Sequence, residues 1–162
     1  MRFFRTLSVA RNVMARRSYA AEAASSSGKL RLNFTVPHQA ILKNFEAIQV
    51  NIQSSEGDMG ILADHVPTIA QLNNGGVVEI IAADNKTRKY FVSGGFAIIN
   101  PDSSLNINAV EAVEVDQLDV EAARRGSEEA SRKLNGAGSE ADKVAARVEH
   151  ELYEAILLAV KA

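Results

Sequence analysis

The 162-residue sequence contains no cysteine and no tryptophan, and it has no long apolar run. Without cysteine there is no disulfide framework and no thiolate metal site. No stretch reaches the ~18 consecutive apolar residues that a membrane-spanning helix requires. Histidine occurs only at His38, His65 and His150, in a turn, a corner and a helix, with no His-x-x-x-His pattern and no paired glutamate at metal-ligand spacing. Gly94-Gly95 is not followed by Lys-Ser/Thr and opens no helix, so it is a turn or bulge rather than a phosphate loop. Asp64 and His65 are adjacent in an extended segment and project to opposite sides, which argues against a triad with Ser93. The charged run Glu121, Arg124, Arg125, Glu128, Glu129, Arg132, Lys133 falls at helical spacing. It reads as a solvated face with pairs such as Glu121–Arg125 and Glu128–Arg132. These absences point to a protein with no catalytic site, no cofactor and no metal.

What is present divides into three parts. Met1 to Ala24 carries Arg2, Arg5, Arg11, Arg16 and Arg17 and no acid before Glu22. This is the arginine-rich, acid-poor pattern of a mitochondrial transit peptide, and Arg17-Ser18-Tyr19 before Ala20 resembles a matrix-protease cleavage signal. The alternative is a basic arm for nucleic acid or a membrane surface. Residues 1–19 are thus expected to be removed, and Ala20 to Lys29, small and serine-rich, to form a flexible arm. The remaining chain is acidic overall, which argues against phosphate backbones as partners.

From Leu30 to Val115 short alternating segments recur. Leu30, Leu32, Phe34 and Val36 share one face of a strand that Pro37 stops. Ile41-Leu42 suggests a short strand ended by a turn at Lys43-Asn44. Ile48 to Gln53 alternates again, with Gln49, Asn51 and Gln53 turned outward. Glu56-Gly57-Asp58 marks a tight turn, and Ala63-Asp64-His65-Val66-Pro67 a corner between two short strands. Asn73-Asn74-Gly75-Gly76, Asp84-Asn85, Gly94-Gly95 and Asn100-Pro101-Asp102 punctuate the strands that follow. Such spacing predicts an antiparallel β-sandwich over 30–115.

The period then changes to that of helices. Asp116, with Asp119 three residues on, is a candidate N-cap. Leu118, Ala122, Ala123, Ala130 and Leu134 fall near one side of a first helix. Asn135-Gly136-Ala137-Gly138 ends it. Ser139 and Asp142 open a second, whose apolar stripe comprises Ala141, Val144, Ala145, Val148, Leu152, Ala155, Ile156 and Ala159. Residues 116–162 are expected to form an antiparallel helical hairpin.

Three ordered blocks carry a family resemblance. They are EGDMGILADHVPT followed by NNGGVVEI, then KYFVSGGFAIIN, then the Asp116 to Ala123 helix opening. Together they resemble the delta subunits of mitochondrial ATP synthases, counterparts of the bacterial epsilon subunits, from about Leu30 to the C-terminus. The resemblance implies a non-catalytic rotor subunit of the central stalk. It implies that proton-driven rotation of the c-ring reaches ATP synthesis through the gamma subunit. Implied partners are gamma, the small mitochondrial epsilon subunit and the c-ring. The implied place is the matrix side of the inner membrane, peripherally held. Glu56 and Asp58 fall where the family's acidic turn meets the ring loop, and His65 where a corner histidine meets gamma. The bacterial motif usually places Pro-Gly before that histidine, where this chain has Ala63-Asp64. Some bacterial relatives bind ATP through Ile/Leu-Asp-x-x-Arg-Ala at the hairpin start. Here Leu118-Asp119-Val120-Glu121-Ala122-Ala123 has alanine in place of the arginine. Rival readings are a small-ligand-binding sandwich, such as a nucleotide sensor, and a hydrolase.

Overall fold

The computed structural model describes residues 28–161; the expected transit peptide and most of the expected arm lie outside them. Nine strands come first: β1 Leu30–Val36, β2 Gln39–Ser54, β3 Gly57–Leu62, β4 Thr68–Leu72, β5 Gly76–Ala82, β6 Thr87–Val92, β7 Gly95–Ile99, β8 Ser104–Ala109 and β9 Ala112–Glu114. A single 3-10 turn, Val115–Gln117, leads to helices α1 Val120–Leu134 and α2 Glu140–Lys161.

The strands form two layers, β1-β8-β7-β4 and β3-β2-β5-β6-β9. β2 is the shared element. Its first half pairs with β1 and its second half with β3 and β5. All pairings are antiparallel except β1 with β8, which is parallel. The inward positions of the alternating runs meet between the layers. Leu30, Leu32, Phe34, Val50, Ile52, Ile61, Val78, Ile80, Leu105 and Ile107 are almost wholly excluded from water. Phe34 meets Tyr90 edge to face, with ring centroids 5.3 Å apart, the arrangement that the aromatic quadrupole favours.

Several expectations are corrected here. The short strand, turn and second strand expected between Ile41 and Gln53 are one continuous strand, β2. Asn44 takes the left-handed φ of 47° that a turn would need, but Asn33 Oδ1 accepts its amide proton at 2.9 Å and β1 is bulged opposite. A side-chain acceptor therefore keeps the ladder running past the irregularity. A second register shift, between Ala47 and Gln49, turns Ile48 outward and Ala47 inward. The hairpin tip at Asp84-Asn85 is as expected. Its αL residue is Asn85, at φ 60°, closing a three-residue loop.

At the helices, the N-cap of α1 is Asp119, whose Oδ1 accepts from Ala122 N at 2.9 Å. Asp116 sits instead in the preceding 3-10 turn. Ser139 and Asp142 close a reciprocal capping box on α2: Ser139 N and Oγ donate to Asp142 Oδ2, and Asp142 N donates to Ser139 Oγ. Those hydrogen bonds hold the Asp142 carboxyl below the usual carboxylate range.

The buried stripe of α1 is Ala123, Ser127 and Ala130, while Ala122 is exposed. On α2 the expected stripe splits. Ala155, Ile156 and Ala159 pack with Phe91, Val115, Val77 and Leu118 of the sandwich and its exit turn. Val144 and Val148 are 58% and 61% exposed. The reason is geometric. The helix buries one face on α1, through Ala146 and the ring of Tyr153 against Gly126. Only its last turns reach the sandwich. Hydrophobic periodicity finds the stripe but not where the supporting surface ends.

Candidate interaction surface

The β2–β3 hairpin turns through two residues, Ser55 and Glu56, with Ser54 paired to Gly57. Buried Ser54 holds it: its Oγ donates to Gly57 O at 2.6 Å and accepts from Glu56 N at 3.3 Å. Glu56 is therefore at an exposed tip. Asp58 is not on the loop, as expected from the glycine pattern, but on β3 itself, opposite Gln53. Since Ile61 points inward, Asp58, Gly60 and Leu62 point outward.

The two acids thus line different hollows. Asp58 borders a shallow groove of about 350 Å³ on the outer face, crossed by the row Gly60, Asn51, Glu79 and Lys89. Asn51 Nδ2 donates to Glu79 at 2.8 Å, and Gln49 Nε2 to Asn51 Oδ1 at 2.6 Å. Glu56 borders a crevice of about 200 Å³ between β3 and β4, walled by Met59, Thr68, Ile69 and Phe96.

His65 lies at the β3–β4 corner, half-buried, with Nδ1 donating to its neighbour's carbonyl, Val66 O, at 2.9 Å. A carbonyl only accepts, so Nδ1 carries the proton in this contact. Around this corner stand large apolar side chains. Leu62 is 48% exposed, Val66 69%, Ile69 73% and Phe96 53%. On β4 and β7, Ile69 is opposite Ile98, and Gln71 opposite Phe96, all on the outer face. These residues were missed as site candidates in the sequence. The available signal was phase: Leu62 and Ile69 sit one residue out of step with buried Ile61 and Ala70.

The residues that resembled catalytic sets are engaged elsewhere. Asp64 bonds to Ser103, and His65 to the carbonyl of Val66. Ser93 Oγ is enclosed without a hydrogen-bond partner. A second grouping crosses the hairpin: Ser127 Oγ donates to Glu154 Oε1 at 2.8 Å and lies 3.2 Å from His150 Nδ1. The serine's one proton goes to Glu154, so His150 donates to it. A buried serine in that state is a lock between helices, not an activated nucleophile. Arg132 pairs with Glu128 as expected, whereas Glu121 pairs with Arg124 rather than Arg125. Among the described residues no cluster of three or more His, Asp or Glu has a metal-holding arrangement.

Comparison with known proteins places this geometry in context. The family model described as ATP synthase, Delta/Epsilon chain, beta-sandwich domain matches residues 29–115. The chain is 47% identical over 133 residues to the mitochondrial ATP synthase subunit delta of Agaricus bisporus, covering 82% of this chain and 81% of that one. It is 41% identical over 139 residues to the subunit of the same name from Saccharomyces cerevisiae, covering 85% of each. Among solved structures it is similar to a chain in the Euglena gracilis mitochondrial ATP synthase (OSCP/F1/c-ring, rotational state 1). The TM-score is 0.76 at 32% identity, over 82% of both chains. A chain of the Tetrahymena thermophila central stalk and c-ring shares the fold, with TM-score 0.57 at 18% identity.

Proposed function

Because this chain belongs to the delta/epsilon family of ATP synthase subunits, we propose that it works as a stalk subunit of a mitochondrial ATP synthase, clamped to the gamma subunit and seated on the c-ring. It carries no reaction of its own. The ring turns, the foot of the stalk turns with it, and the catalytic subunits respond to the stalk. The sandwich contributes stiffness and adhesion: a close-packed core of two sheets transmits force without yielding.

One observation carries the reading, namely the exposed apolar strip of Val66 at the corner with Ile69 and Phe96 on the outer face of β4 and β7, beside His65. Water-facing side chains of that size, grouped at one edge of a sandwich, mark an interaction surface. We assign this strip and His65 to the gamma subunit. Glu56 and Asp58, at the hairpin end, are assigned to the polar loops of the c-ring. The mitochondrial epsilon subunit packs alongside. No helix of the described residues is long and apolar enough to cross a membrane. In this reading the subunit is held peripherally, through its partners, on the matrix side of the inner membrane.

The test is co-purification from mitochondria with gamma and the c-ring, comparing wild type with Ile69→Asp. A single carboxylate on a side chain already 73% exposed leaves the isolated fold intact, because little burial is lost. At a desolvated contact it costs several-fold to a hundredfold in affinity, about 1–3 kcal/mol. Loss of gamma from the purified complex is expected. Undiminished recovery of gamma with the variant would remove the strip from the interface.

A further inference from the structure

The corner that carries His65 and Val66 is built in an unusual way. His65 N bonds back to Leu62 O at 3.4 Å, closing a turn whose third residue, Asp64, has φ 60°. That is the left-handed region, where glycine is at ease and aspartate is tolerated because its short carboxylate finds local partners. The partner here is distant in sequence. Asp64 N donates to Ser103 Oγ at 3.0 Å, and Ser103 Oγ donates its proton to Asp64 Oδ1 at 3.0 Å. One hydroxyl gives its proton to the side chain and takes one from the backbone of the same residue.

Ser103 is itself left-handed, at φ 56°, and buried. Its turn is tied to the sandwich several times over. Arg31 N donates to Ser103 O at 3.0 Å. Arg31 Nη2 meets Asp102 Oδ2 at 2.8 Å, and Asp102 Oδ1 accepts from Ser104 N and Oγ. The other side-chain bonds of the corner, from His65 Nδ1 and Thr68 Oγ1, both end on Val66 O within the corner itself. Among the described residues, the Asp64–Ser103 pair is thus the corner's hydrogen-bonded link to the β7–β8 turn.

We propose that Asp64 is the positioning residue of this surface: through Ser103 it fixes, before any partner arrives, the direction in which His65 and Val66 are presented. This rests on the reading of the corner as part of the gamma contact. A glycine at this position meets the backbone requirement alone. Aspartate meets it and adds a side-chain tether to the neighbouring β7–β8 turn. The benefit is pre-organisation, since a corner already ordered pays less conformational entropy on binding.

The experiment uses the whole subunit and the purified gamma subunit. Both glycine variants keep the left-handed angles: Asp64→Gly removes the carboxylate bond but leaves the backbone N–H facing Ser103 Oγ, Ser103→Gly removes both bonds, and Asp64→Asn keeps the angle and an acceptor oxygen. Amide exchange in the free subunit reads the corner directly. Asp64→Gly and Ser103→Gly are expected to speed exchange at residues 64–66 by about tenfold, the equivalent of a lost hydrogen bond to a charged group, with β1, β7 and β8 unchanged. Affinity for gamma falls by about five- to tenfold in each. The double variant is no worse than Ser103→Gly alone, because that change already removes both bonds of the clamp. Asp64→Asn stays near wild type. Exchange unchanged in Asp64→Gly overturns the clamp. Faster exchange with unchanged affinity overturns the positioning role while Ile69→Asp remains defective. Unchanged affinity in both Asp64→Gly and Ile69→Asp overturns the surface, and the positioning role with it.

Discussion

Gly95 shows how one residue decides whether two strands can meet. It lies in β7 between Leu72 of β4 and Ala109 of β8, at φ 140°. A Cβ built there would stand 2.2 Å from Asn108 O and 2.8 Å from Ala109 Cα, both backbone atoms. No rotamer change relieves a clash with the main chain. The Gly-Gly of the Tyr-Phe-Val-Ser-Gly-Gly-Phe block is therefore required sterically at its second glycine, where the chain crosses into the other layer. Gly95→Ala is expected to destabilise the sandwich by about 2–4 kcal/mol, combining overpacking with an unfavourable φ. Chemical denaturation of the purified subunit measures it. A loss below about 0.5 kcal/mol would mean that β7 and β8 separate at little cost.

The elements were legible to different degrees, for reasons that follow from period and support. The strict alternation of Leu30 to Val36 identifies a half-buried strand because one face meets a core and the other water. The Ser139–Asp142 box is legible because the reciprocal bonds need only those two residues at that spacing. By contrast, the run through Lys43-Asn44 reads as a turn. The acceptor that rescues the strand, Asn33 Oδ1, comes from another strand and leaves no trace in the local pattern. Asp58 is misplaced onto the loop because Gly57 gives no information about how many residues the turn contains. The exposed apolar residues Leu62, Val66, Ile69 and Phe96 escape notice because apolar residues on both faces of a short strand blur its phase.

The Asp119 carboxylate is occupied as the N-cap of α1, Ala122 offers no charge, and Arg124 already pairs with Glu121 at 3.7 Å. An alanine neither neutralises nor forks onto a phosphate. The isolated subunit is expected to show no saturable heat with millimolar MgATP in titration calorimetry. Submillimolar binding that Asp119→Ala abolishes would restore the nucleotide-sensor reading.

For the whole molecule, the two acids at the hairpin end give the sharpest test, because the fold points them to different hollows. Glu56 opens onto the crevice with Ile69 and Phe96, close to the strip assigned to gamma. Asp58 opens onto the polar outer face with Asn51, Glu79 and Lys89. Both are exposed and contribute little to folding, so reversing their sign should leave the sandwich intact. At a complementary surface the same reversal acts on association and register, and it does so more strongly at low salt. The double variant Glu56→Lys with Asp58→Lys is expected to lower proton-driven ATP synthesis by about two- to tenfold while ATP hydrolysis continues, since the catalytic subunits are untouched. The single variants should separate. If the ring meets the outer face, Asp58→Lys carries the coupling defect. If it meets the crevice end, Glu56→Lys carries it, and the ring and gamma surfaces are then neighbours around one hollow. The measurement is synthesis against hydrolysis in reconstituted enzyme at two ionic strengths, with the variant subunit quantified in the complex. Full coupling in the double variant at low salt would place the ring contact away from this end of the sandwich.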